Sequence, residues 1–272
     1  LKMAEEGYEF AFTYSDNVAI SSSAGKLIQN YPERCINFGI AEPNQVGASA
    51  GLALSGMVVY SQVFGPFLSL RTADQIHTDI AYNDVNVRLI GTHAGVTAAG
   101  GPTHNCIADL ALYRAIPNLI IEVPADANQC KMAIRKSFTH DGPMVIRIDR
   151  GGSPLVYADT DYEYEFGKAI ETLPGTDLSI ISAGSCVYWS LMAAKILKDE
   201  YGISARVIDM HTIKPMDYEM IDKCVKETGN IITVEEASIN GGLGGGVAEY
   251  LCERGFNGKF KRIGLPDEFA VL

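Results

Sequence analysis

"NLIIEVPADANQCKMAIRKSFTHDGPMVIRID", residues 118 to 149, has a strand-length apolar run at each end and apolar residues at three- and four-residue steps between them. Strand, helix and strand in that order form the unit of a parallel sheet, because parallel neighbours need a crossover connection. Upstream, "MVVYSQV" (57–63) and "VNVRLIG" (85–91) read as further strands, with helical patterns in "SLRTADQIHTDIAY" (69–82) and "HNCIADLALYRAI" (104–116). Downstream, the polar, Gly- and Asp-containing "RGGSPLVYADTDYEYEFG" (150–167) interrupts the alternation and reads as an interdomain linker. The alternation then restarts with strands at "DLSIISAG" (177–184), "ISARVIDM" (203–210) and "NIITVEE" (230–236). Helices are expected through "SLMAAKILKDEY" (190–201), from Asp217, and after "INGGLGGG" (239–246). The expected fold is α/β, with two domains of mainly parallel sheets flanked by helices: residues 1–150, a linker over 151–166, and residues 167–272.

Bulk properties narrow the function. A chain of 272 residues that is 47% hydrophobic can bury substantial cores. Its net charge is −11, with acidic and basic residues interspersed, so it lacks the electrostatic footprint of a nucleic-acid binder. No apolar stretch approaches the roughly 20 residues of a membrane span, and the N-terminus has no signal-like pattern, so a cytoplasmic location is expected. Cys35, Cys106, Cys130, Cys186, Cys224 and Cys252 are scattered singly, without metal spacing, and are expected to be reduced, buried or semi-buried fillers.

Chemistry-bearing residues collect in the first half. "CINFGIAEPNQVGASAGLALSG" (35–56) sets one carboxylate, Glu42, at the mouth of a helix, with no second acid or nucleophile beside it. "GTHAGVTAAGGPTHNC" (91–106) holds His93 and His104 on one Gly- and Ala-rich loop after a strand, where imidazoles orient hydroxyls or pass protons near neutral pH. Arg150 follows a strand, placed to clamp an anion such as a phosphate. Phe64 and Phe67 flank a Gly-Pro turn that leaves a ring exposed. Open α/β sheets put their sites at strand ends, where all six of these residues lie. In the second half, "INGGLGGGVAEYL" permits either a phosphate cradle or a tight strand-to-helix turn; its spacing is not GxGxxG, which favours the turn. A lone His211 in "DMHTIKPMD" reads as a hydrogen-bonded structural residue.

These residues resemble a known family. "INFGIAEPNQVGASAGLALSG", "GTHAG", "GPTHNCIADLALYRAIPNL" and "VPAD" are similar to the pyrimidine-binding domain of transketolases, and "IDMHTIKPMD" and "TVEEASINGGLGGG" to the C-terminal domain that follows it there. The resemblance covers nearly the whole chain. Deoxyxylulose-phosphate synthases usually carry Asp-Arg where this chain has Thr92-His93, and the beta subunits of oxo-acid dehydrogenases lack a "GPTH" like residues 101–104.

The resemblance implies a thiamine diphosphate-dependent transferase acting on sugar phosphates. Glu42 matches the glutamate that hydrogen-bonds the cofactor's aminopyrimidine ring, which then deprotonates the thiazolium carbon; one carboxylate suffices because the cofactor itself is base and electron sink. Phe64 and Phe67 match the aromatic residues that pack on the pyrimidine. His93 and His104 match histidines near the reacting carbons, and Arg150 the arginine that binds the sugar phosphate. Arg71 matches an arginine of the following helix without an assigned role. The family's preceding domain, with its Gly-Asp-Gly stretch and downstream Asn for magnesium and the diphosphate, has no counterpart in this sequence. The resemblance therefore implies the C-terminal subunit of a split transketolase. It would be active only with an N-terminal subunit that supplies magnesium and the diphosphate site, in a two-plus-two heterotetramer.

Two segments depart from the family. The stretch between His93 and His104 lacks an Asp that selects sugar configuration, and the segment after the first strand is short, with Ser21, Ser22 or Ser23 as its substrate-contacting candidates. The chain also begins without Met and stops short of the family's usual end, so further loops or termini are expected beyond the sequence as given. Another thiamine-dependent carboligase, of the deoxyxylulose-phosphate synthase kind, and a non-catalytic regulatory or assembly subunit are the alternatives.

Overall fold

In the computed structural model, which describes residues 1–16, 24–97, 100–158 and 162–269, the apolar runs form the strands of two sheets. The first half supplies β1 (Ala11–Tyr14), β2 (Cys35–Asn37), β3 (Val59–Phe64), β4 (Val87–Thr92), β5 (Ile120–Glu122) and β6 (Met144–Arg147). The second supplies β7 (Ile170–Leu173), β8 (Leu178–Ser182), β9 (Ala205–Asp209), β10 (Thr212–Lys214), β11 (Asn230–Ser238) and β12 (Lys259–Leu265). The helices are α1 (Lys2–Glu5), α2 (Gly25–Asn30), α3 (Glu42–Leu54), α4 (Ala73–Gln75), α5 (Asp109–Ala115), α6 (Ala127–Ser137), α7 (Cys186–Tyr201), α8 (Tyr218–Glu227) and α9 (Leu243–Glu253).

The larger sheet runs β2–β1–β3–β4–β6–β5–β10, parallel throughout except for the antiparallel edge strand β10. The smaller runs β12–β11–β8–β9–β7, again parallel apart from the edge strand β7. Central strands such as β6 are buried at every position, which is why they read as continuous apolar runs rather than alternating ones. Because β10 comes from the second half and pairs with β5, with Thr212 opposite Glu122, the larger sheet spans both halves. One core cluster does the same, joining Leu89, Ile121 and Val145 to Ile181, Ile208 and Met210.

Helix α3 shows how composition positions the site. Its buried residues, Glu42, Gln45, Val46, Ser49 and Ala50, recur at helical spacing. Small side chains let it lie close on β1 and β3, and a polar seam fixes its register: Gln45 Nε2 donates to Ser61 Oγ (2.9 Å) and the Gln62 carbonyl (3.1 Å), and Ser49 Oγ lies 2.8 Å from Thr13 Oγ1.

Four expectations change. The helix expected over 104–116 begins only at Asp109, because Cys106 pairs with Ala94 beside the sheet. The helix expected over 69–82 is α4 between two π-helical stretches, Phe67–Arg71 and Ile76–Ala81. Helix α9 starts within the Gly run: a Cβ on Gly244 would lie 2.7 Å from Thr233 Oγ1, and one on Gly246 2.8 Å from Met216 Cε, so these glycines serve close helix packing. Of the cysteines, all free, Cys252 is exposed rather than buried. Among the described residues no helix is long and apolar enough to cross a membrane.

Candidate active site

Glu42 is the first residue of α3, with Pro43 fixing the first turn, and it is 4% exposed. It is not a solitary acid: Arg71 Nη1 donates to Glu42 Oε2 at 2.7 Å, and the same guanidinium lies over the Phe67 ring, 4.3 Å from its centroid. Phe64 ends β3 and Phe67 opens the π-helical turn that carries Arg71, so the strand-to-helix corner delivers both rings, half-buried, with centroids 6.1 Å apart. Gly65 makes the corner possible, since a Cβ there would meet the Thr92 carbonyl and Cys106 Cβ at 3.0 Å.

Both histidines pack on these rings. The His93 ring lies 4.0 Å from that of Phe64, and the His104 ring 5.3 Å from Phe67 and 6.3 Å from Phe64. His93 has a left-handed backbone (φ 62°), sparsely populated for a residue with a side chain and kept only where neighbours enforce it. Burial first, then the positive charge of Arg150 and His104, lowers the His93 pKa to about 4, which makes it a neutral imidazole at neutral pH. Its Nδ1 lies 3.1 Å from Thr92 Oγ1, and His104 Nδ1 2.9 Å from Thr103 Oγ1.

Arg150 lies three residues past β6. With Phe64, Thr92 and His93 it lines a cavity of about 820 Å³, whose lining also includes apolar residues such as Phe10, Leu27 and Ile134. Glu42, Phe67 and His104 do not line that cavity; Phe64, which does, also packs beside Phe67 and His104 and so joins the two groups. The structure thus brings Glu42, Phe64, Phe67, His93, His104 and Arg150 into one contiguous region. Ser21, with Ser22 and Ser23, lies outside the described residues. Among the described residues no three His, Cys, Asp or Glu side chains converge to hold a metal ion.

Several side chains acquire partners that no local pattern announces. Arg71 is the partner of Glu42 across the chain. Buried Arg147 donates through Nε to Asp109 Oδ2 at 2.7 Å and through Nη2 to the Glu236 carbonyl at 2.8 Å. At the start of α9, Glu235 accepts the amides of Leu243 and Gly244 at 2.7 and 2.8 Å, so the protein's own carboxylate fills the place a phosphate would take. In the sequence it appears only as one of two adjacent charges, Glu235 and Glu236, within β11. His211 is fully buried, stacks on Tyr164 and sets Nδ1 3.2 Å from Glu122 Oε2, outside the aromatic cluster.

Comparison with known proteins gives this geometry a context. The family model "Transketolase, pyrimidine binding domain" matches residues 9–154, and "Transketolase, C-terminal domain" matches residues 167–271. The chain is 41% identical over 272 residues to an apulose-4-phosphate transketolase subunit of Phocaeicola vulgatus, covering 97% of this chain and 86% of that protein. It is 36% identical over 253 residues to a 6-deoxy-6-sulfo-D-fructose transketolase subunit of a Clostridium species, covering 93% and 78%. Among solved structures it resembles one described as a split gene transketolase, inactive beta4 tetramer, with a TM-score of 0.88, 35% identity, and coverage of 98% of this chain and 86% of that one. The chain belongs to the transketolase family and carries that family's pyrimidine-binding and C-terminal domains.

Proposed function

We propose that this chain is the C-terminal subunit of a split transketolase. With an N-terminal subunit that supplies magnesium and the diphosphate site, it transfers a two-carbon ketol unit from a ketose phosphate to an aldose phosphate. Residues 1–150 then form the pyrimidine-binding unit, 151–166 the connection and 167–272 the C-terminal unit. The observation that carries the reading is the run of contacts from Glu42 through Arg71 and Phe67 to His104, and through Phe64 to His93. Support for a split subunit comes from the relatives named as subunits, most of whose length this chain covers.

The donor set fits the pyrimidine end of thiamine diphosphate: a buried carboxylate for a ring nitrogen, and two half-buried phenyl faces for the ring itself. When bound, the cofactor supplies the nucleophilic carbon and the electron sink for breaking the carbon–carbon bond. Glu42 would hold the aminopyrimidine by a hydrogen bond to a ring nitrogen, favouring the tautomer able to accept a proton. Phe64 and Phe67 would pack on the ring and keep water from it. His93, neutral because burial and Arg150 lower its pKa, can accept a proton from a substrate hydroxyl, and His104 orients a neighbouring one. Arg150 holds the terminal anion of the sugar. Relatives named for apulose-4-phosphate and for 6-deoxy-6-sulfo-D-fructose act on sugars bearing a phosphate or a sulfonate, and one guanidinium suits both.

The test is a ketol-transfer assay on the chain together with the partner it captures from its native extract, with thiamine diphosphate and magnesium, offering a ketose phosphate or pyruvate as donor. Turnover of the ketose phosphate is expected, with Glu42→Ala lowering kcat at least about a thousandfold. Turnover of pyruvate instead would reassign the chain to the synthase-like carboligases. Unchanged kcat in Glu42→Ala would remove Glu42 from the chemistry.

A further inference from the structure

One side chain of the C-terminal domain grips the loop that bears both histidines. Glu236, near the end of β11, accepts the Val96 amide on Oε1 at 2.5 Å and the Ser185 hydroxyl on Oε2 at 2.8 Å. Gly95, buried and left-handed (φ 73°), lies against this carboxylate so closely that a Cβ there would run into it. At the loop's other end the Ser238 amide of the same strand donates to the Ile107 carbonyl at 2.7 Å, and Arg147, the last residue of β6, donates through Nη2 to the carbonyls of Cys106 (3.3 Å) and Glu236 (2.8 Å). Between these grips the two loop ends are stitched together, Gly95 N to the Cys106 carbonyl at 2.7 Å and Cys106 N to the His93 carbonyl at 3.2 Å.

We propose that Glu236 is a positioning residue for the His93–His104 loop, the means by which the C-terminal domain holds the substrate side of the site in place. Three facts point to this role rather than to general packing. Its two oxygens are divided between a loop amide and a hydroxyl at the start of α7, so it ties the loop to the second domain's own scaffold. The loop amide it takes lies three residues from His93, whose left-handed backbone persists only while its neighbours are fixed. Gly95 leaves room for the carboxylate and for little else. A glutamate 140 residues away in sequence thereby sets where His93 presents its ring.

The functional half of this inference rests on the reading proposed above; the structural half does not, and the experiment separates them. Amide hydrogen exchange on the full chain is compared for wild type, Glu236→Ala and Glu236→Gln. In Glu236→Ala, peptides covering 93–107 are expected to exchange about tenfold faster or more, while β11 and α9 keep wild-type protection; Gln, which retains an acceptor for the Val96 amide, restores most of the difference. In the complex with the partner subunit, Glu236→Ala is expected to raise KM for the ketose phosphate about tenfold with the affinity for thiamine diphosphate unchanged, and Gln to recover it. Wild-type exchange over 93–107 in Glu236→Ala overturns the proposal whatever the enzyme's reaction. Faster exchange in the loop with no ketol transfer by wild type leaves the clamp standing and overturns the transketolase reading. Loss of protection throughout Glu236→Ala passes the test to Ser185→Ala, in which the loop peptides alone must exchange about threefold faster, and an unchanged loop there overturns it.

Discussion

His93 and Arg150 illustrate how one residue's chemistry is set by another. The imidazole is held near pH 4 by partial burial and then by the charges of Arg150 and His104, against an ordinary value of 6.5. A histidine with a lowered pKa favours the fold in its neutral form. Its contribution is therefore complete above about pH 6.5 and is lost as pH falls toward about 4, and His140, lowered by burial in the same direction, adds to that loss. In an NMR titration His93 is expected to have its midpoint near 4, and Arg150→Ala to move it upward; an unmoved midpoint would place the guanidinium too far away to act on the reacting groups. At this scale much was legible. Glu42, Phe64, Phe67, His93, His104 and Arg150 stand out from short local motifs, because strand ends and glycine-rich corners leave a signature within a few residues. The pairing of Arg71 with Glu42 and the reach of Glu236 were not, since the partners lie 29 and 140 residues away and only the fold brings them together.

Elements carry a different constraint, seen where β6 meets α5. Arg147, the last residue of β6, is 6% exposed, and Asp109, which opens α5, is 1% exposed, with their side chains 2.7 Å apart. Taking one charge from such a pair strands the other in a dry place, so Asp109→Ala is expected to cost about 3–5 kcal/mol in urea unfolding, whereas Asp109→Leu with Arg147→Met should recover most of it. A loss below about 1 kcal/mol in the single variant would mean that water reaches the guanidinium. The strands β3, β4, β5, β6, β8, β9 and β11 were readable as apolar runs, most of them because burial on two faces removes alternation. Strands β1, β2, β7, β10 and β12 were not, and of these β2, β7 and β12 are partly exposed edge strands without such a run. The first turns of the helix expected over 104–116 were not, for an apolar Cys-Ile-Ala sequence fits a loop tied to the sheet as well as a helix. The π-helical stretches were equally hidden, since one extra residue per turn barely alters the apolar spacing over so short a span.

For the molecule as a whole, the decisive feature is that the two halves share a sheet and a core rather than merely touching. At the seam the Glu122 carboxylate accepts from the hydroxyls of Tyr164 and Thr212 and lies 3.2 Å from His211 Nδ1, while Asp209 is held by Gln129 Nε2 (2.7 Å) and the Tyr157 hydroxyl (2.6 Å). Linear alternation of strands and helices predicted two domains but could not show that a strand of the second completes the sheet of the first. Burial alone would lower the His211 pKa; the hydrogen bond and charge of Glu122, then the charge of Asp209, outweigh it and raise it. A raised histidine pKa contributes stability that is complete below the unfolded value and lost as pH rises through the folded one, opposite in sign to His93. Glu122→Gln removes the charge that raises it and leaves one oxygen for two hydroxyl donors. The expected loss in urea unfolding is about 3 kcal/mol and larger at pH 6 than at pH 8, because only protonated His211 forms the ion pair. Equal losses at the two pH values would show that His211 is neutral in the fold throughout and that hydrogen bonds alone join the halves there.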